Sequence, residues 1–327
     1  MKLVKIKSSG VHKKNVHKGK YNFSELVDAV PTLKQKLKKN PKGEWTIDFS
    51  DADSVILLNK ALLKTFYHIN NWSIPKQYLC PPIPSRADYI HRLADILQDD
   101  GSVYSSSVKG LDIGAGANAV YSIIGASVYG WTFISSDINK PSIDNICQIL
   151  NNNPTLNKAI TPCLQTNPNH LFKGVVQPEV KYHFSLCNPP FHRSAEEAAT
   201  GTRRKVKNLG KHGTHSRFQK PHAHQSDKGD KSLNFGGQNN ELWCPGGEFG
   251  FVSRMIRESV RYSEQILWFS CLISKGDNVR PLRKLIEKQG ADELRIVEMK
   301  HGNKVSRFLA WTYQCPDSRK LWFSSAP

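Results

Sequence analysis

The sequence predicts an α/β protein: a mostly parallel sheet covered by helices, preceded by a mainly helical segment. Three observations predict it. From about Val108 onward, short apolar runs alternate with stretches of helical period, the pattern of repeated strand–helix–strand units. Before that point apolar residues recur mostly at helical spacing. A turn containing Gly114 and Gly116 joins the first predicted strand of the alternating part to its first helix.

Residues 1–20 carry Lys2, Lys5, Lys7, Lys13, Lys14, Lys18 and Lys20 with His12 and His17, and are expected to form a flexible basic arm. Residues 21–100 read as a mainly helical accessory domain. Ser24 is placed to cap a helix through Leu26, Val30, Leu33 and Leu37, and Asp53 a second with Ile56, Leu57, Ala61, Leu62 and Phe66 on one face. Between them Trp45–Phe49 fits a short strand. Pro81-Pro82-Ile83-Pro84 reads as a rigid extended linker, and Ser85-Arg86-Ala87-Asp88 as a capping box that opens a helix with Ile90, Leu93, Ala94 and Leu97 inside.

Residues 101–327 supply strands at Val108–Ile113, Thr132–Ser136, Ile160–Leu164, Tyr182–Cys187, Gln265–Ile273, Glu293–Met299 and Phe308–Tyr313. The helices between them fall at Ala117–Ser127, Asn139–Leu150, Phe249–Tyr262 and Val279–Gln289. The last two strands are close enough in sequence to finish the sheet as an antiparallel pair. Residues 193–247 interrupt this order. Thr200–Lys231 is almost wholly polar, and so long a patternless stretch inside a domain is a functional or disordered loop.

Charge narrows the partner. Forty-six Lys and Arg against 28 Asp and Glu leave a net charge of +18, an excess that folding does not need and that attracts polyanions by releasing their counterions. Nucleic acid is the expected partner. No apolar run approaches the ~18 residues that cross a bilayer, no basic amphipathic helix stands out, and the Lys-rich N-terminus has no apolar core of a signal peptide. A cytoplasmic protein without membrane association is expected. The seven cysteines are scattered with no Cys-x-x-Cys spacing, which argues against a disulfide framework or a metal site.

Leu111-Asp112-Ile113-Gly114-Ala115-Gly116-Ala117-Asn118-Ala119 places two glycines where a strand turns into a helix. Glycine permits a tight turn and close approach of a ligand, and a helix start offers unpaired N–H groups. Asp137, at the end of the next strand, suits the two hydroxyls of a ribose. The spacing also fits a dinucleotide site, so NAD is a competitor at this motif. Asp112 shifts the balance: a carboxylate is ill placed beside a pyrophosphate but suits the cationic methionine end of S-adenosylmethionine.

Leu186-Cys187-Asn188-Pro189-Pro190-Phe191 ends a later strand. The two prolines stop the strand and stiffen the turn, so Asn188 and the Pro189 carbonyl face the cleft. An adenine N6 lone pair is delocalised into the ring and is a weak nucleophile. Two acceptors for its two N–H protons localise the pair as positive charge develops on nitrogen. Phe191 offers a face for base stacking. The chemistry needs no catalytic His or Cys.

With these motifs the chain resembles class I (Rossmann-like) methyltransferases bearing the Asn-Pro-Pro-Phe/Tyr signature. More closely, it is similar to the bacterial family that makes N6-methyladenine at adenine 1618 of 23S ribosomal RNA, and to a eukaryotic group of RNA adenine methyltransferases. The likeness runs through Trp45–Leu63, Pro84–His91, Leu111–Gly116, Leu186–His192, Leu233–Gln238, Glu241–Cys244 and Ser306–Thr312. It implies a mostly parallel seven-stranded sheet, S-adenosylmethionine as cofactor, and a pocket lined by Arg86, Gly114, Gly116, Asp137 and Asn188. Arg86 would reach the methionine carboxylate from the accessory domain, which would also contribute to RNA binding. Asp112 and Ala115 complete the expected cofactor contacts, and Asn188, Pro189, Pro190 and Phe191 form the expected catalytic turn. The chain departs from the family in a longer loop at His212–Asp230, which leaves that loop's role open.

The loop residues Arg203, Arg204, Lys205, Lys207 and Lys211 follow the catalytic turn and are expected to bind RNA beside the entering base. His212, His215, His222 and His224 have no fixed geometry and are read as solvated rather than as a zinc site. The substrate is expected to be 23S ribosomal RNA or a large-subunit assembly intermediate, met by a monomer. Two other functions fit parts of the pattern: the same signature acting on DNA adenine or a protein glutamine, and a non-catalytic RNA-binding module.

Overall fold

The computed structural model describes residues 1–75, 78–101, 108–194, 196–197, 239–301 and 304–324. Along the chain come β1 (Lys2–Ile6), α1 (Phe23–Ala29), β2 (Leu37–Lys39), β3 (Trp45–Ile47), α2 (Ala52–Tyr67) and α3 (Ile83–Asp99). The alternating part opens with β4 (Lys109–Ile113), α4 (Val120–Tyr129), β5 (Thr132–Asp137), α5 (Lys140–Asn151), α6 (Pro154–Ala159), β6 (Ile160–Leu164) and β7 (Tyr182–Cys187). It closes with α7 (Asn239–Leu242), α8 (Gly247–Ser259), β8 (Ile266–Ile273), α9 (Val279–Lys288), β9 (Glu293–His301), β10 (Lys304–Thr312) and α10 (Pro316–Ser324).

One sheet holds eight of these strands in the order β1-β9-β10-β8-β7-β4-β5-β6, and β2 pairs with β3 apart from it. Within the large sheet only β10 runs antiparallel to its neighbours. Helices cover both faces, so the central strands are apolar throughout rather than alternating: every residue of β7 and β8 is buried. The chain lays down β4, then β5 and β6 on one side, and returns to place β7 on the other side of β4. Ligands bind at such a reversal, outside the carboxyl ends of the strands.

All seven strands expected of residues 101–327 form, including the antiparallel finish. The eighth comes from the segment expected to be a flexible arm. β1 pairs in parallel with β9, from Lys2 opposite Glu293 to Ile6 opposite Val297. Its lysines stay outside while Leu3, Val4 and Ile6 are partly buried, and the edge of β9 gains a partner for its backbone groups. The following residues lie along α3 and the end of α2: the His12 N–H donates to Asp88 (2.6 Å), Asn15 Nδ2 donates to the Pro84 carbonyl (2.9 Å), and the His17 ring bonds the hydroxyl of Tyr67 in α2 (2.8 Å). Net charge concealed a segment that carries enough apolar and hydrogen-bonding groups to dock.

Other differences are local. α1 is capped by Asn22, whose side chain accepts the Ser24 N–H, and it ends before Pro31, because the residue preceding proline avoids helical backbone. Leu37 therefore starts a strand instead of ending the helix. α3 begins at Ile83 with Pro84 in its first turn, where a missing N–H costs nothing. Asp88 is thus an interior helix residue and not part of a capping box. It is fully buried and accepts from the His12 N–H and from Arg92 Nε (2.7 Å). α10 was not foreseen from its short, mixed-polarity sequence. Arg319 latches it, donating to Asp100 (2.8 Å) and to Glu293 (3.1 Å).

Apolar side chains of the N-terminal helices, Leu62, Leu63 and Leu93 among them, share one core with Ile123, Phe184 and Phe308 of the sheet and its cover. Asp88 joins the N-terminal segment to this body. Burial opposes its charge, but His301, Arg92 and the His12 N–H hold its carboxyl at about 2. Asp88→Ala is expected to lower unfolding free energy by about 3 kcal/mol at neutral pH, because it strands buried donors. Since the folded pKa lies below the unfolded one, the contribution is full above the ordinary carboxylate range and is lost as pH falls toward 2. Urea unfolding of both proteins at pH 7 and pH 3 checks this; a difference that does not shrink at pH 3 refutes it.

Candidate functional site

The carboxyl ends of β5, β4 and β7 lie side by side, so the glycine turn, Asp137 and Asn188 converge although they are far apart in sequence. Gly114 and Gly116 both have left-handed backbone, φ 74° and 63°, which side chains other than glycine's resist. The turn is pinned to β5: the Gly114 and Ala115 N–H groups both donate to the Ser136 carbonyl at 2.9 Å. The two oxygens of Asp137 accept from the Gly116 N–H (2.9 Å) and the Asn139 N–H (2.8 Å). Burial raises the Asp137 pKa while those backbone donors, Asn139 first, pull it back. α4 starts at Val120, three residues later than expected, because Ala119 takes left-handed backbone and Asn118 Oδ1 accepts the Val120 N–H.

Arg86 arrives from the first turns of α3. It is almost completely buried, donates from Nη1 to the Tyr121 hydroxyl (2.7 Å), and lies 3.5 Å from Asn188 Oδ1. Its guanidinium also sits 5.3 Å from the Tyr121 ring centre. A side chain from the helical segment thus reaches the end of β7.

These groups border a cavity of about 530 Å³, within the size range of small-molecule sites. Of the expected residues, Arg86, Gly114, Ala115, Gly116, Asp137, Asn188 and Pro190 line it. Asp112, Pro189 and Phe191 are not among the lining residues. Strand alternation sends the Ile113 side chain to the cavity and the Asp112 side chain to α4, where Ser122 Oγ donates to it at 2.9 Å. Burial pushes that carboxyl up to about 7. Asp112 therefore stands behind the wall, not on it. Phe191 is half-buried and packs against the larger core.

The cavity also has walls that sequence reasoning did not identify. The chain leaves the site at His192 and comes back beside it: the His192 N–H donates to the Leu242 carbonyl (3.0 Å) and the Cys244 N–H to the His192 carbonyl (3.1 Å). That return brings Trp243 and Glu241 onto the cavity. Glu241 Oε2 accepts the Leu79 N–H (3.1 Å), and its other oxygen lies so near Gly116 that a Cβ there would come within 3.1 Å. Phe251 and Arg254 of α8 and the loop Pro168–Leu171 after β6 complete the enclosure. Only the run Glu241–Cys244 had a signal in the sequence, and it was one of resemblance. The expected RNA-contacting residues Arg203, Arg204, Lys205, Lys207 and Lys211, with His212, His215, His222 and His224, lie outside the described residues. Among the described residues no cluster of His, Cys, Asp or Glu could hold a metal ion, and no helix is long and apolar enough to cross a membrane.

Comparison with known proteins agrees with this geometry. A family model described as RNA methyltransferase matches residues 5–315. The ribosomal RNA large subunit methyltransferase F of Vibrio parahaemolyticus is 47% identical over 321 residues, covering 98% of this chain and 85% of that protein. Its namesake in Flavobacterium johnsoniae is 46% identical over 315 residues, covering 95% and 96%. Among solved structures, the human METTL16 catalytic domain in complex with the MAT2A 3′UTR hairpin 1 superposes with a TM-score of 0.74 at 26% identity, covering 93% of this chain and 96% of that one. The N-terminal domain of human METTL16 in complex with SAH has the same fold, with a TM-score of 0.72 at 24% identity. With the glycine turn, its partner acid and the Asn-Pro-Pro-Phe turn gathered at one cavity, and a family match over nearly its whole length, this chain belongs to the RNA methyltransferase family.

Proposed function

We propose that the chain transfers the methyl group of S-adenosylmethionine to the N6 amine of an adenine in 23S ribosomal RNA, adenine 1618 by resemblance. The observation that carries this reading is the meeting of Arg86, Asp137 and Asn188 around one glycine-turned cavity. A cation suits the cofactor's carboxylate, a carboxylate suits its ribose hydroxyls, and the glycine backbone allows close contact. The relatives named for large-subunit ribosomal RNA support the choice of substrate.

S-adenosylmethionine supplies a methyl group made electrophilic by its sulfonium. The chain's own residues do the rest. Arg86 and Asp137 fix the two ends of the cofactor. Asn188 Oδ1 and the Pro189 carbonyl accept the two N6–H protons, and their hydrogen bonds strengthen as positive charge grows on N6. Water takes the surplus proton afterwards. Trp243 on the wall supplies a face for the base, with stacking worth ~1–3 kcal/mol, and Phe191, directly after cavity-lining Pro190, backs the catalytic turn from the core. An adenine in a helix must leave the stack first, so the target is unpaired or flipped. In this reading residues 21–100 form an accessory RNA-binding domain to the methyltransferase domain 101–327. Residues 203–211 of the loop grip the RNA backbone, and the chain acts in the cytoplasm as a monomer, on free RNA or an assembly intermediate.

The test is methyl transfer from labelled cofactor to large-subunit RNA lacking the modification, followed by digestion to nucleosides. Label in N6-methyladenosine is expected; label in DNA or protein instead overturns the substrate. Asn188→Ala is expected to lower turnover roughly 100-fold or more while leaving S-adenosylhomocysteine affinity near that of the parent, which calorimetry checks. Arg86→Met is expected to weaken S-adenosylhomocysteine binding about 10- to 100-fold. Binding of 5′-methylthioadenosine, which lacks the methionine carboxylate, should be unchanged in the same variant. Equal losses for both ligands would assign Arg86 a packing role only.

A further inference from the structure

The hairpin β2–β3 holds two large aromatic rings that the fold leaves in solvent. Trp45 is 52% exposed, and Phe49, two residues past β3, is 49% exposed. Ile47, on the same face of β3 as Trp45, is by contrast buried in the core. Trp45 is therefore an extension of a core-facing row beyond the edge of the core. Its orientation is fixed from the neighbouring strand. The register sets Lys39 opposite Trp45, and the Lys39 ammonium lies 3.8 Å from the indole centroid, an attraction that occupies one face of the ring.

The connecting turn is stiff. Asn40 Oδ1 accepts the Lys42 and Glu44 N–H groups (2.9 and 3.0 Å), and the Asn40 N–H donates to the Glu44 carbonyl (2.8 Å). Lys34, Lys36, Lys38, Lys39 and Lys42 fall in the same short stretch of chain, and of these Lys39 lies against the ring. Lys36 and Lys38 pair with Asp51 and Asp48. Lys34 and Lys39 form no ion pair among the described residues, and Lys42 acts on the Glu44 carboxylate only through its field, without a close ion pair.

The hairpin is linked to the cavity wall through α2. Asn59 of α2 donates to the carbonyl of Pro81 (2.6 Å), and Pro81 lines the cavity. α2 begins seven residues earlier at Ala52, about 10 Å along a helix rising 1.5 Å per residue. Asp51, just before it, is the residue that Lys36 grips. A rigid, half-covered indole with a lysine on one face and further lysines in the same segment matches the aromatic-plus-cation surface that takes unstacked bases of single-stranded nucleic acid. A regular duplex exposes no base face to it.

We propose that the outer face of Trp45 is a second docking point for the substrate RNA. An unpaired base near the target adenine stacks on it, and Lys34, Lys39 and Lys42 take the adjoining phosphates. The inference rests on the RNA reading above and adds a recognition site outside the catalytic cavity. It makes substrate choice depend on two unpaired nucleotides held a set distance apart.

The experiment measures binding of the full chain, saturated with S-adenosylhomocysteine, to a fluorescent large-subunit RNA fragment spanning the target adenine, across a potassium chloride series. Trp45→Ala is expected to weaken binding roughly 5- to 100-fold with no change in the slope of affinity against salt, because stacking releases no counterions. Trp45→Phe should keep most of the affinity. Lys39→Ala combined with Lys42→Ala should lower the salt slope by about 1.4. Melting temperature and S-adenosylhomocysteine affinity should be unchanged in all three. Parent-like RNA binding by Trp45→Ala, or an equal loss in Trp45→Phe, overturns the proposal. Methylation of this RNA by the parent alongside an indifferent Trp45→Ala removes this inference alone. A parent that neither binds nor methylates the RNA removes the functional reading and the inference together.

Discussion

The site depends on one constraint of a parallel sheet, that all its strands end on the same edge. β4 has its sequence neighbour β5 on one side and the late strand β7 on the other. The connections leaving β4 and β7 consequently diverge, and a crevice opens between them that neither connection fills. The glycine turn after β4, Asp137 at the end of β5 and Asn188 after β7 fall at this crevice because their strands do. The pairing of β4 with β7, Ile113 opposite Cys187, holds the glycine turn and the Asn188 turn in register.

The crevice becomes a deep, half-open cavity because distant segments are tied down around it. Buried amide side chains do much of the tying, each one supplying a backbone group with the partner that burial demands. Asn145 Nδ2 donates to both the Ser73 and the Ala117 carbonyls, at 2.9 and 2.7 Å, linking the segment before α3 to the end of the glycine turn. Trp72 Nε1 donates to the Asn118 carbonyl (3.1 Å). Asn153 holds Asn70 from both sides, accepting its N–H and donating to its carbonyl at 2.7 Å each. Leu79, Pro81 and Arg86 meet the cavity as a result. The buried Arg86 guanidinium is anchored on Tyr121, and removing that anchor would leave a desolvated cation near Asn188 with one partner fewer.

α8 organises the opposite wall. It presents Phe251 and Arg254 to the cavity and uses two carboxylates to hold flanking loops. Glu258 accepts the N–H groups of Leu171, Phe172 and Lys173 at 2.8 to 3.0 Å, which sets the loop after β6. Glu248 accepts from the Lys275 N–H (3.2 Å) and Asn278 Nδ2 (2.6 Å), setting the loop between β8 and α9. In a chain with a large excess of positive charge, several of the acids thus act as internal fasteners, while the excess cations remain for a polyanion.

Much was legible before any coordinates. Apolar period and turn residues located every described strand of residues 101–327, and the two short motifs pointed to the chemistry, because strand ends and proline turns are local properties of sequence. The alternation of β4 also separates Asp112 from Ile113, and it outweighs the chemical suitability of a carboxylate within a ligand motif. What the sequence by itself determined is the set of local elements and the residue types at their ends. The tertiary structure alone decided that residues 2–6 complete the sheet and that Glu241 and Trp243 return to the cavity beside His192, while the approach of Arg86 to Asn188 was implied by resemblance and by no local pattern. Each of those contacts joins residues dozens to hundreds of positions apart. Their partners are chosen by which surfaces the packed sheet leaves adjacent, and no local pattern carries that information.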